Sequence, residues 1–361
     1  MKSPRNHLLS TVAAIGAAAA IAVPTVADAQ DTVRWQVPMA FPSTLAGLAD
    51  AMPWMADQMR AMTDGAIDLR VAEPGAVVPA LAAFDAVSDG SIDAAYSWMG
   101  YELGTLPSAA LFGATPFGLE SIEYLAWMYF HGGRELMTEA YEPFNIHMIP
   151  CGTISPETAG WYRTELEGVE DLQGMRFRAA GIGGEILMEL GMSVTMLPGG
   201  ELYQALETGV LDATEFSLPS ADLQLGFYQV ADYLYLPGWH QPSTNQALYV
   251  NLDSWNSLSP QTQAMFETSC MAANAFAIAR AEAMQGPALI ELEEKGANIR
   301  TYSDEFIAAF REAHNRVIER RSADDELFAR VYNSMMEFQA LNRPWKEQGY
   351  LPRDWQTRIG E

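Results

Sequence analysis

Two distant stretches of the chain are built to one pattern. Phe84-Asp85-Ala86-Val87-Ser88-Asp89-Gly90-Ser91-Ile92-Asp93-Ala94-Ala95-Tyr96 aligns with Tyr203-Gln204-Ala205-Leu206-Glu207-Thr208-Gly209-Val210-Leu211-Asp212-Ala213-Thr214-Glu215. An aromatic residue, an alanine, an aliphatic residue, a glycine, a second aliphatic residue, an aspartate and an alanine coincide in order. Each copy reads as a helix closed by a C-cap glycine and followed by a short buried strand. A Pro-Gly pair precedes each copy, at Pro74-Gly75 and Pro198-Gly199. A single helix–strand unit recurs by convergence, but the number of coincident positions favours two related lobes. Ligands of open parallel sheets bind beyond the carboxyl ends of the strands. Tyr96-Ser97-Trp98 and Glu215-Phe216-Ser217 are therefore expected on opposite walls of one cleft, which a hinge would close over a ligand.

The rest of the chain supports an α/β fold with largely parallel sheets. Val33 to Pro38 reads as a strand, Ser43-Thr44 as part of a loop, and the following stretch to about Met62 as an amphipathic helix. Asp64-Gly65 turns the chain into a second strand, Ile67 to Val71. Pro260 to Lys295 is expected to be helical with a break near Pro287, and Asp304 to Ala323 forms another helix. The domain plan is lobe I over 30–152, lobe II over 153–239, a return to lobe I with long connecting helices over 240–323, and a tail over 324–361. The tail carries Phe328, Tyr332, Phe338, Trp345, Tyr350 and Trp355 as exposed-looking aromatics. They either pack back on the lobes or form a homodimer contact.

Lys2 and Arg5, the apolar run from Leu8 to Val23, and Ala27-Asp28-Ala29 have the layout of a secretory signal over residues 1–29. The run is short for a membrane span and no stop-transfer pattern follows it. Export to the periplasm is the expectation. A net charge of -25 argues against nucleic acid and against docking on an anionic membrane. Cys151 and Cys270 are too few for a thiolate metal site. In an oxidising compartment they form one disulfide or stay as two buried thiols; spacing alone leaves both open.

Arg178 is the foremost candidate ligand contact. It ends Met175-Arg176-Phe177-Arg178, an alternating strand, and Ala179-Ala180-Gly181-Ile182-Gly183-Gly184 follows before a helix from about Glu185. A guanidinium is a two-pronged donor that fits a carboxylate. The small residues admit a ligand to the backbone, and the helix start adds amide donors. The alternative is an arginine paired to a surface glutamate. The glycines look like part of a dinucleotide loop, but the third glycine is missing and the fingerprint fails. Glu157 and Glu215, with a carbonyl such as that of Phe216, are candidate oxygen ligands for a hard cation. Glu215 stands out because it follows an apolar strand, where an unpaired carboxylate is costly to bury. Catalysis has little support: His131, His147, His240 and His314 sit in no metal-helix motif and there is no nucleophile elbow. His240 follows Pro237-Gly238-Trp239 and is placed to line the cleft.

These segments together resemble the solute-binding subunit of tripartite ATP-independent periplasmic (TRAP) transporters, DctP-type, and within it the 2-oxo-acid and lactate branch. The matching residues include Gly75-Ala76-Val77-Val78, Pro150-Cys151-Gly152, Leu172-Gln173-Gly174-Met175-Arg176-Phe177-Arg178, Leu197-Pro198-Gly199-Gly200-Glu201-Leu202, Leu225-Gly226-Phe227 and Tyr235-Leu236-Pro237-Gly238-Trp239. The resemblance implies a two-lobed periplasmic binding protein, type II-like, with a hinge cleft and a helical C-terminal tail. It implies that Arg178 clamps the substrate carboxylate and that Glu215 and the Phe216 carbonyl hold a bridging cation, Na+ or a divalent ion such as Ca2+. The third cation ligand is usually a glutamine amide; Glu157 stands there instead, and its extra negative charge favours a divalent ion. Trp98, Tyr101, His240 and Gln241 would complete the substrate contacts. The implied function is capture of a small 2-oxo or 2-hydroxy monocarboxylate, pyruvate- or lactate-like, for delivery to membrane permease subunits, with no enzyme activity. A dicarboxylate or larger organic acid on the same scaffold is the alternative.

Overall fold

The computed structural model describes residues 31–354. The signal expected over residues 1–29 and Trp355 lie outside the described residues. In chain order the elements are β1 (Val33–Pro38), α1 (Ala51–Met62), β2 (Ile67–Ala72), α2 (Ala83–Ser88), β3 (Ala94–Trp98), α3 (Pro107–Gly113), α4 (Ser121–Phe130), α5 (Gly133–Tyr141) and β4 (Ile146–Ile154). Next come β5 (Gly160–Tyr162), β6 (Arg176–Arg178), α6 (Gly181–Glu189), β7 (Ser193–Thr195), α7 (Leu202–Glu207), β8 (Ala213–Thr214), α8 (Pro219–Leu225) and β9 (Tyr233–Leu236). The chain ends with β10 (Thr244–Asn251), α9 (Leu252–Asn256), α10 (Pro260–Glu294), β11 (Asn298–Thr301), α11 (Asp304–Asp324) and α12 (Glu326–Gly349).

Val33, Trp35 and Val37 of β1 point into the core while Arg34 and Gln36 face water, the period of two that a half-buried strand requires. β1 pairs in parallel with β2, and a bridge from Met39 to Tyr96 attaches it to β3. α1 buries Met52, Met55, Ala56 and Met59, one helical face. β10 lies between β3 and β4 and runs antiparallel to both. The second sheet has the order β11-β9-β5-β8-β6-β7. All its pairings are parallel except those of β5, which opposes β8 and β9. The expectation of largely parallel sheets therefore needs a correction: each sheet carries one reversed strand. β5 is the first strand after the chain leaves the first sheet, and β10 the first after it leaves the second. Each enters its new sheet from the other, against the direction of its neighbours.

The repeated pattern has the same backbone bonds in both copies. Asp89 and Gly90 close α2 on Asp85 and Val87, as Thr208 and Gly209 close α7 on Gln204 and Leu206. The amides of Ile92 and Leu211 then reach back to the carbonyls of Ala86 and Ala205. Gly90 and Gly209 sit at φ 76° and 70°, the left-handed region that favours glycine. β3 and β8 follow, and both are fully buried.

α10 departs from expectation, since it runs through Pro287 without a break. Pro287 is exposed. Proline costs one helical hydrogen bond there, and the packing of α10 on β4, α1 and α8 holds the helix. Asn274 on this helix accepts from the Thr153 amide at 2.9 Å and donates to the Pro150 carbonyl at 2.9 Å. A disulfide between Cys151 and Cys270 joins it covalently to β4, which settles the choice that spacing left open. Of the two expectations for the tail aromatics, the inner ones follow packing back on the lobes. Asp325 interrupts the helix in extended geometry and caps α12 through the Phe328 amide. Phe328 is fully buried, Tyr332 and Phe338 are half-buried, and only Trp345 and Tyr350 of the described tail aromatics are exposed. The three inner rings face back because α12 packs on α3, α4, α5 and α11. No described helix is long and apolar enough to cross a membrane.

Candidate functional site

The two crossings between the sheets run side by side. Residues 155–159 lead from β4 to β5, and residues 237–243 lead back from β9 to β10. The Glu157 amide donates to the Gln241 carbonyl at 3.2 Å and the Ala159 amide to the Tyr235 carbonyl at 2.8 Å. A Cβ at Gly238 would overlap the Glu157 carbonyl, so this approach requires glycine.

A small cavity of about 20 Å3 opens beside the crossings. The first sheet contributes Trp98 at the end of β3 and Tyr101 on the turn after it, with Phe41 and Leu48 from the loop between β1 and α1. The second sheet contributes Arg178 at the end of β6, Ala180 before α6, and Glu215-Phe216 just after β8. Glu157, Gln241 and Thr244 come from the crossings. The structure thus brings Arg178, Glu157, Tyr101, Trp98, Phe216, Glu215 and Gln241 around one space, with His240 at its edge. Phe41, Leu48 and Thr244 were not anticipated, while Ala180 belongs to the small-residue run expected to admit a ligand. Phe41 and Leu48 carry only an apolar signal, which any core loop shares, and Thr244 begins a strand whose direction the alternation did not reveal.

Arg178 and Glu215 are each 2% exposed. Arg178 donates from Nη1 to the Glu215 carboxylate at 2.8 Å and to the Glu215 carbonyl at 2.9 Å, and from Nε to the Leu197 carbonyl at 3.0 Å. The Ala180 amide donates to the same carboxylate oxygen, Oε1, at 3.1 Å. None of these bonds uses Nη2, and the Tyr101 hydroxyl lies close to the same guanidinium. Burial pushes the Glu215 carboxyl upward, but Arg178, His240 and the Ala180 amide outweigh it and hold the group below the usual carboxylate range. Glu157 is the opposite case: burial and then the charge of Glu215 drive its carboxyl well above that range, against the hydroxyls of Thr244 and Ser217. Thr244 donates to Glu157 at 2.7 Å and Ser217 at 3.2 Å. Gln241, with its amide nitrogen turned inward, donates to Glu157 as well. Burial pushes the Tyr101 hydroxyl up to about 12, with Arg178 pulling the other way.

The glycine run opening α6 has a packing role. Gly181 sits at φ +63°, and a Cβ there would come within 3.0 Å of the Trp98 ring. A Cβ at Gly183 would come equally close to His240. The small residues let a helix start from the second sheet approach an indole from the first.

Glu157, Glu215 and His240 each offer a ligand atom, all within 4.8 Å of one another. Glu215 Oε2 and both His240 ring nitrogens lack hydrogen-bond partners, and His240 Nε2 lies 3.6 Å from Oε2. A buried, unpartnered carboxylate oxygen facing a second buried carboxylate is what a cation would satisfy. The residues present therefore fit a hard cation, held by the two carboxylates with His240 alongside.

Two sheets joined by paired crossings, with a charged cavity beside those crossings, have the architecture of a two-lobed solute receptor. The chain belongs to the bacterial extracellular solute-binding protein family 7, DctP, whose profile matches residues 46–325. This is a family of transport receptors outside the cytoplasm and not of enzymes. Among its relatives is a monocarboxylate 2-oxoacid-binding periplasmic protein of a Nostoc species, 32% identical over 88% of this chain and 87% of its own length. A TRAP transporter solute-binding protein from Bordetella bronchiseptica superimposes with a TM-score of 0.86 and 31% identity, covering 88% of this chain and 94% of that one. It is a mixed-occupancy dimer with copurified calcium and picolinate in its active site. A second, from Pseudoalteromonas atlantica, gives a TM-score of 0.84 at 30% identity over 91% and 98% of the two chains, with bound sodium and pyruvate.

Proposed function

We propose that the chain is the ligand-capturing subunit of a TRAP transport system, closing on a small 2-oxo or 2-hydroxy monocarboxylate together with a cation. The observation that carries this reading is the fully buried Arg178–Glu215 pair facing a second buried carboxylate, Glu157, inside a small cavity. Glu215 Oε1 fixes the guanidinium, which leaves Nη2 as the donor edge for a ligand carboxylate. Glu215, Glu157 and the Phe216 carbonyl would hold the cation, which would supply positive charge for the ligand's oxygens. Trp98, Tyr101, Gln241 and His240 close around the ligand, with Phe216, Phe41 and Leu48 lining its apolar side. With both glutamates ionised, a divalent cation and a monocarboxylate bring the buried set to neutrality; with sodium, neutrality needs a proton on Glu157. A divalent ion therefore matches an ionised Glu157, and sodium a protonated one, the form that burial and the charge of Glu215 favour. The relatives that bind 2-oxoacids, or pyruvate with sodium, support the ligand class.

The receptor would hand its ligand to membrane permease subunits. A second copy is a further partner, since Leu341, Trp345, Tyr350 and Leu351 leave an apolar end on and after α12 and one relative is dimeric. Calorimetry with pyruvate, 2-oxobutyrate and lactate, with calcium or with chelator, tests the central reading. Calcium-dependent heats for these acids are expected. No heat with any of them overturns it, and heats confined to malonate or to picolinate move the ligand class to dicarboxylates or larger acids.

A further inference from the structure

Asp222 lies outside the cavity, on α8, and is completely buried. One of its oxygens, Oδ2, accepts from Thr158 Oγ1 at 2.8 Å and from Trp161 Nε1 at 2.9 Å. The other, Oδ1, has no partner. A buried carboxylate with an unpartnered oxygen is costly, and an apolar side chain of similar volume would avoid that cost. What the residue holds in place accounts for its presence. Thr158 and Trp161 bracket the end of the first crossing, and Glu157 is the neighbour of Thr158. The same stretch is tied to the Glu215 side of the cavity by the Thr158 amide, which donates to the Ser217 carbonyl at 3.0 Å, and by the Ser217 hydroxyl on Glu157.

We propose that Asp222 is a positioning residue of the ligand site: one carboxylate oxygen pins Thr158 and Trp161 to α8 and so aims Glu157 at Glu215. Its role is that of an acceptor in a fixed place. Both donors end on Oδ2, so the single oxygen of an asparagine amide can take both, while its NH2 occupies the place of the unpartnered Oδ1. Leucine fills similar volume and offers no acceptor. Valine at Thr158 keeps the shape of threonine and removes one of the two donors.

The inference rests on the function proposed above, and the test separates the two. Pyruvate is titrated in calcium into the full chain and into D222L, D222N and T158V. D222L is expected to bind at least about tenfold more weakly, the usual cost of losing a group that orients a metal-site ligand. T158V is expected to fall between D222L and the parent, and it carries the test if D222L fails to fold. D222N is expected to recover most of the parent affinity, a rescue that a general loss of core packing would not show. Parent-like affinity in D222L or T158V overturns the proposal, and so does D222N binding as weakly as D222L. A parent chain that takes up no organic acid removes the functional reading, and this inference with it.

Discussion

A guanidinium shut away from water needs several fixed partners, and Arg178 has them in two carbonyls and a carboxylate. Replacing it by alanine strands Glu215 in the interior as well as removing the ligand's donor. R178A is expected to lose about 2–5 kcal/mol of pyruvate binding, the range for truncating one member of a buried charge pair. R178K keeps the charge but loses the fork and should also bind weakly. Calorimetry reads both, and unchanged affinity in R178A would show that another residue holds the acid. Arg178 and Glu215 were legible in the sequence because one ends a short strand and the other directly follows one, where charge is out of place. Asp222 was not legible. In a chain with 46 acidic residues it reads as one more solvated carboxylate, and only the fold shows it sealed under Trp161.

At the scale of elements, local pattern was readable wherever a segment's own residues determine it. The repeated helix, glycine and strand were visible because both turns depend on a left-handed glycine at the same place. The direction of β5 and β10 was hidden, because strand direction is set by where the chain has come from and not by its own residues. Pro287 misled for a related reason: its cost is local, while what overcomes it is the packing of α10 on β4, α1 and α8. Proline in an exposed helix interior is disfavoured by about 3 kcal/mol relative to alanine. P287A is therefore expected to raise the thermal midpoint. A lowered midpoint would mean that the proline stabilises more by restricting the unfolded chain than it costs in the helix.

For the whole molecule, the sequence indicated two related lobes and a shared cleft, while the closeness of the crossings emerged only from the fold. Glu157 and Gln241 meet across many intervening residues because both crossings pass through the same narrow place, beside α10. The disulfide holds that helix against β4 a few residues before the first crossing. Replacing both cysteines by serine is expected to cost about 2–5 kcal/mol of stability. Denaturant midpoints of the purified double variant check this, and an unchanged midpoint would show that packing alone secures α10.

The same bond has an effect on chain continuity. Every strand from β5 to β10 lies between Cys151 and Cys270, so that whole interval is a covalently closed loop. A protease that cuts one peptide bond inside it releases nothing: the severed halves stay linked through sulfur and migrate as an intact species until a reductant separates them. In a compartment rich in proteases, one backbone scission there need not cost the cell its receptor.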